Sequence, residues 1–250
     1  MTTPYDLPRL EAAAGALVSL RETTSSTQDD AKAAAERGAP SGSVFVSLAQ
    51  TAGRGRHGRS WSTAPGSAIL ASVVLRPTAP VESLPRLALV VGLALAESLE
   101  RLVDGVGIKW PNDVLIHGRK VSGVLVEGVF RGGTLGAVIA GFGVNIRRNA
   151  VPPELAVRAT SLEAEGLTEL DPTPVLAEVL RRVRERTSTF GQTSWNDALP
   201  ALRARDALLG RRVHGQDVTG LAAGIGDDGG LLVDVGSSLV TVQAGEVTLL

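Results

Sequence analysis

The chain has 250 residues, 44% of them hydrophobic, with 25 basic and 26 acidic residues for a formal net charge of -1. That length and apolar content support one large folded domain with a small appendage, and the charge balance provides no global field for recruiting nucleic acid or anionic lipid, so an anion site has to be local. The absence of cysteine excludes disulfides, zinc thiolate sites and cysteine nucleophiles, and fits a reducing compartment.

The opening stretch MTTPYDLPRLEAA lacks a basic segment followed by an apolar run, and later apolar stretches are interrupted by Gly, Arg or Glu, so a cytoplasmic protein without membrane spans is expected. TTSSTQDDAKAAAERG reads as a helix, with Ser26 as its cap, Asp29 three residues later and Gly38 as its stop. SVFVSLAQ alternates like a half-buried strand, and AILASVVL, Ala68 to Leu75, is the near-continuous apolar run of a buried one. A stripe of Leu84, Leu87, Ala88, Val91, Leu95, Leu99 and Leu102, with Pro85 in its first turn, predicts a long helix on a sheet. VGIKW, DVLIHGRKVSGVLVEGVF and TLGAVIAGFGVNI are β-type segments parted by His117-Gly118 and Arg131-Gly132-Gly133, as in an antiparallel meander. TPVLAEVLRRVRERTSTF predicts another helix, with Thr173 as cap and Pro174 first.

The sum is an α+β domain over residues 1–206, a mixed or antiparallel sheet flanked by helices. From 207 to 250 short β patterns are punctuated by glycine, which predicts a small β-barrel packed on the main domain.

Between the first two predicted strands lies GRGRHGRSW, residues 53–61, with three arginines, a histidine and three glycines. Its Gly53-x-Gly55-x-x-Gly58 spacing matches the dinucleotide fingerprint, but Pro65 and Gly66 follow where a helix has to begin, so that reading fails. What remains is a solvated connection, an RNA-contacting patch, or a loop that folds over a small anion. Only Lys32, Lys109 and Lys120 among the 25 basic residues are lysine. Two of them fall within KWPNDVLIHGRKVSG, which puts two ammonium groups near Asn112 and Asp113 on a β scaffold. Lysines answer phosphate or carboxylate oxygens, and a carboxylate such as Asp113 suits Mg²⁺ shared with substrate phosphates. His57, His117 and His214 lie too far apart in the chain for metal-ligand spacing.

Taken in order, Ser26-Thr27-Gln28, Gln50-x-x-Gly53-Arg54-Gly55-Arg56-His57-Gly58-Arg59-x-Trp61, Lys109-Trp-Pro-Asn-Asp113, Gly118-Arg-Lys120-x-x-Gly123 and Gly143-Val-Asn145 resemble biotin protein ligase. The resemblance runs from about residue 20 to 150, and the small terminal β domain, SH3-like in that family, extends it. It implies activation of biotin by ATP to biotinyl-5'-adenylate, then transfer to a lysine of biotin carboxyl carrier protein. By position, Ser26, Thr27, Gln28, Gln50, Gly53, Arg54, Gly55, Arg56, Lys120 and Gly123 would bind biotin. Arg56, Arg59, Trp61, Lys109, Asn112, Lys120 and Asn145 would bind ATP or adenylate, and Asp113 would hold Mg²⁺. The resemblance also implies catalytic roles for Lys120, Arg54 and Arg56, with the glycine-rich loop closing over the adenylate.

Two departures stand out: Gln28 occupies a place where the family usually has asparagine, and His57 stands where arginine is common. Only 25 residues precede Ser26, too few for the family's DNA-binding domain, so no DNA partner is expected. Alternatives are a lipoate ligase of related architecture and, from another class, an RNA-binding module using the Arg-Gly loop, although one Tyr and four Phe offer few stacking platforms.

Overall fold

The computed structural model describes residues 4–191 and 194–250. Along the chain run α1 (Leu7–Ala14), β1 (Val18–Thr24), α2 (Thr27–Glu36), β2 (Val44–Gln50), β3 (Ala68–Leu75) and α3 (Leu84–Leu99). Then come β4 (Val106–Lys109), β5 (Asp113–Ile116), β6 (Arg119–Arg131), β7 (Thr134–Asn145), α4 (Pro172–Thr187) and α5 (Ser194–Arg203). Five short strands finish the chain: β8 (Arg212–Gly215), β9 (Val218–Ile225), β10 (Leu231–Asp234), β11 (Leu239–Val242) and β12 (Thr248–Leu249).

The first seven strands form one sheet in the order β1-β2-β3-β7-β6-β5-β4. Only β1 and β2 pair in parallel, through α2 as the crossover; the other pairs are antiparallel, so the sheet is mixed. Its two faces explain the near-continuous apolar run of β3. Ile69, Ala71, Val73 and Leu75 join the main core with α3 and α4, whereas Val74 meets Ala31 and Ala35 of α2 on the opposite face. All eight residues of β3 are therefore buried. The small side chains of α2 let that helix lie close on the sheet.

Several local expectations are met and others corrected. Ser26 caps α2, accepting the Gln28 amide at 3.3 Å, but Asp29 does not close a capping box; its carboxylate pairs with Arg54 instead. The cap of α4 is Asp171, not Thr173: its carboxylate accepts from the Thr173 amide at 2.8 Å, with Pro172 opening the helix. The Thr173 hydroxyl donates to the Pro4 carbonyl and accepts from the Asp6 amide, fastening the amino-terminal segment to α4. Leu102 lies beyond the end of α3. Within α3, Leu89, Val90 and Leu93 are as buried as the predicted stripe, because the helix is packed between the sheet and α4.

Residues 212–249 form a separate antiparallel sheet in the order β11-β10-β9-β8-β12. Its GDDGG turn, 226–230, docks on the larger unit through side chains donating to backbone carbonyls. Trp110 Nε1 reaches Gly229 O at 3.0 Å, Trp195 Nε1 reaches Asp227 O at 2.7 Å, and Arg86 Nε reaches Asp228 O at 2.8 Å. Each such bond contributes about 1 kcal/mol. Gly229 has φ of 85°, and a Cβ there would come within 3.0 Å of Arg86 and 3.2 Å of Trp195, so the turn fits only as glycine.

Candidate active site

Strand register creates the site. Because β7 runs between β3 and β6, Ser72, Gly141 and Leu125 form one cross-strand row, and Leu70, Gly143 and Gly123 the next. Alternate residues share a face, so Gly141 and Gly143 lie side by side on the α2 face without side chains. Over them opens a cavity of about 160 Å³. The overhanging groups need the missing Cβ atoms: one at Gly143 would sit 2.5 Å from the Trp61 indole, and one at Gly141 would sit 2.3 Å from Gln28 Oε1. A Cβ at Gly123 would meet Lys120 Nζ at 3.0 Å.

The closed end of the cavity is a buried polar network. Gln50 Oε1 accepts from the Thr27 amide at 2.8 Å and lies 3.1 Å from the Thr27 hydroxyl, which is itself 2.9 Å from Ser72 Oγ. Ser72 donates to Gln28 Oε1 at 3.0 Å, and Gln28 Nε2 donates to the carbonyls of Leu125 and Ile139, both at 3.3 Å. Gln28 thereby ties α2 to the backbone of β6 and β7.

The mouth is cationic. Residues 53–61 fold back as a small hairpin, with Gly55 N on Arg59 O at 2.7 Å and Trp61 N on Gly53 O at 2.9 Å. His57 at its tip adopts φ of 53°. Arg54 is held by Asp29 at 2.7 Å and Glu127 at 3.5 Å. Desolvation works against its charge, but these two carboxylates outweigh it and raise its pKa. Arg56 is different: it donates to Asn112 Oδ1 at 3.2 Å and has no ion pair among the described residues. Burial lowers its pKa, against the partial support of Asp113 and Glu246. Lys120 Nζ lies 2.6 Å from Asp113 Oδ1 and 5.5 Å from the Trp61 ring centroid. Arg59 reaches away from the hairpin to grip both oxygens of Glu246 in the small terminal unit, at 2.7 and 2.5 Å.

The model of the Biotin/lipoate A/B protein ligase family matches residues 20–145, and that of the Biotin protein ligase C terminal domain matches 208–250. The biotin--[acetyl-CoA-carboxylase] ligase of Mycobacterium tuberculosis is 38% identical over 239 residues, covering 90% of this chain and 85% of that protein. The chain belongs to the biotin protein ligase family. Another relative, the bifunctional ligase/repressor BirA of Bacillus subtilis, is 31% identical over 91% of this chain and 72% of its own length. Among solved structures, the Aquifex aeolicus biotin protein ligase in complex with biotin and ATP superposes with a TM-score of 0.81 at 32% identity, covering 93% of this chain and 97% of that one.

Of the residues singled out in this family member, Ser26, Thr27, Gln28, Gln50, Arg54, Gly55, Arg56, Arg59, Trp61, Lys109, Asn112, Asp113, Lys120 and Gly123 line one cavity. Two do not. Gly53 stands behind the hairpin, where a Cβ would fall 2.3 Å from the Trp61 carbonyl. Asn145 lies outside the lining, its amide donating to Thr160 O at 2.9 Å, which holds 158–160 beside the Lys120 backbone. Through that bond Asn145 braces the strand that carries Lys120. Sequence reasoning missed Ser72 and Glu246. The first left a signal, a single hydroxyl in an otherwise apolar strand; Glu246 left none, since its approach depends on how the terminal unit docks.

Among the described residues Asp113 is the one carboxylate in an ion pair with a lysine, its Oδ1 buried and without a hydrogen-bond donor in proper geometry. Among the described residues no group of three or more acidic or histidine side chains forms a metal cage. This donor set fits Mg²⁺ held mainly by substrate phosphates and water, which is that ion's habit.

Proposed function

We propose that this chain condenses biotin with ATP to biotinyl-5'-adenylate and pyrophosphate, then passes the biotinyl group to a lysine of biotin carboxyl carrier protein. The observation that carries this is one cavity with hydroxyl and amide groups at its closed end and Lys120, Lys109 and Arg56 at its mouth. A ring with N–H and C=O groups suits the first, and a carboxylate meeting a triphosphate suits the second.

In the first step a biotin carboxylate oxygen attacks the α-phosphorus, and the bond from that phosphorus to the bridging oxygen of pyrophosphate breaks. Charge builds on the phosphoryl oxygens, so fixed cations lower the barrier most there. Lys120 is placed for both carboxylate and α-phosphate, trading Asp113 for substrate oxygens. Arg56, half-buried and without an ion pair among the described residues, is ready for a ligand anion, whereas Arg54 positions the hairpin through Asp29 and Glu127. Arg59 holds Glu246 by an exposed pair, a contact of under about 1 kcal/mol that phosphate can displace. Trp61 would flank the nucleotide, and Asp113 with Asn112 would hold Mg²⁺, which would neutralise phosphate charge. In the second step the acceptor amine attacks the acyl carbon, AMP leaves and the amine loses a proton. The hairpin excludes water between the two steps.

We assign residues 1–206 to catalysis and 207–250 to a supporting SH3-like unit, and place the enzyme in the cytoplasm without DNA or membrane partners. Among the described residues no helix is long and apolar enough to cross a membrane. The test is incubation of purified protein with α-labelled ATP, Mg²⁺ and either biotin or lipoate. Labelled adenylate is expected with biotin; formation with lipoate alone would overturn the substrate.

A further inference from the structure

We infer that Ser72 is a specificity-determining residue for the ring end of the acid substrate, and that Gln28 is the positioning residue that fixes its polarity. The inference rests on the biotin reading above.

The argument is one of counting protons. The Gln28 amide has a forced orientation: its Nε2 faces two backbone carbonyls, Leu125 O and Ile139 O, so a flipped amide would set oxygen against oxygen twice. Gln28 Oε1 is thereby left toward Ser72, which has to donate its only proton to it. Ser72 Oγ is then an acceptor toward everything else. One lone pair faces the Thr27 hydroxyl at 2.9 Å, and the second is left for the cavity that Ser72 lines. On the other side, Gln50 Oε1 accepts from both the Thr27 amide and the Thr27 hydroxyl, leaving the Gln50 Nε2 protons as donors. The closed end therefore offers an acceptor, Ser72, near a donor, Gln50, and both are fixed by bonds that begin in the backbone. An N–H beside a C=O matches that pair, as in a cyclic urea; a dithiolane ring matches neither. Ser72 is 1% exposed, so once a ring fills the cavity an acceptor left unmatched there has no water to turn to. Gly141 is part of the same device, since any side chain there would displace the Gln28 oxygen.

The experiment measures adenylate formation by pyrophosphate release for wild type, Ser72→Ala and Gln28→Met, with biotin and with biotin methylated on a ureido nitrogen. Ser72→Ala should raise KM for biotin about tenfold, leave KM for ATP within twofold, and shrink the preference for biotin over its N-methyl analogue. Gln28→Met, which keeps the volume but frees the Ser72 proton, should do the same, and the double variant should be little worse than either single one. Thermal unfolding reports whether each variant is folded. If Ser72→Ala unfolds, Gln28→Met carries the same comparison. An unchanged biotin KM in a folded variant, or equal losses with both acids, overturns the inference. Failure of wild type to use biotin at all would instead overturn the substrate reading.

Discussion

Gly143→Ala puts the geometry of the site to its sharpest test. A Cβ at this position would fall 2.5, 2.6 and 2.7 Å from Cε2, Cζ2 and Nε1 of Trp61, whereas comfortable carbon contacts begin near about 3.5 Å. The strand cannot yield, because β7 is hydrogen-bonded to β3 and β6 on both sides. The indole has to retreat by about 1 Å, and it belongs to a hairpin whose amide bonds tie Trp61 to Gly53 and Gly55 to Arg59. The displacement therefore reaches the arginines as well as the ring. A 1 Å misplacement of substrate-holding groups costs on the order of 100-fold in rate, or about 2.7 kcal/mol of barrier. Stability should change by less than about 1 kcal/mol, since Trp61 is only partly buried and can swing outward. The assay is single-turnover adenylate formation alongside calorimetric unfolding, with Gly136→Ala as control. That glycine is on the same strand, but its Cβ would meet nothing closer than 3.6 Å. A Gly143→Ala enzyme within twofold of wild type, with Gly136→Ala equally active, would refute the claim that the bare strand seats the indole.

Lys120→Ala should fold and lose adenylate synthesis by at least about 100-fold, while Arg56→Ala should still make adenylate but release it to water; filter-retained label separates the two outcomes. Trp110→Phe removes the donor to Gly229 O and part of a buried ring, at about 2 kcal/mol, so calorimetry should show the melting temperature falling by roughly 4–8 °C. Glu178 is held near a pKa of about 2, first by its hydrogen bond to Arg181 and then, against desolvation, by Arg182. A depressed carboxylate stabilises the fold above its ordinary pKa of 4.5 and loses that contribution as pH falls toward about 2. After screening the effect is about 1 kcal/mol, so urea titrations of wild type and Glu178→Gln should differ at pH 7 and converge near pH 2.

How much of this was legible depended on the range over which each signal acts. The cap at Ser26, the buried run of β3 and the turns of the meander are local matters, written in neighbouring residues. Asp171 and Thr173 are both cap-type residues standing directly before a proline, so the local sequence offers two starts for α4, and the cap falls on the residue preceding the first proline. Neither α1 nor β1 has enough periodicity to declare itself; α1 is one short amphipathic face docked on α4, and β1 is an edge strand with mostly exposed side chains. The cationic loop and the lysine pair were visible as chemistry. What joins them was not: the row placing Ser72 beside Gly141 is fixed by strand register, and the partner of Arg59 lies 187 residues away.

The wall of the cavity is drawn from residues as distant as Ser26 and Val247. During translation, then, the hairpin and both lysines emerge long before the last piece that faces them. A ribosome-bound chain stopped short of that residue presents an open trough, and any acyl adenylate formed there would meet solvent. The enclosure is therefore complete only once the carboxyl-terminal residues have docked beside the hairpin.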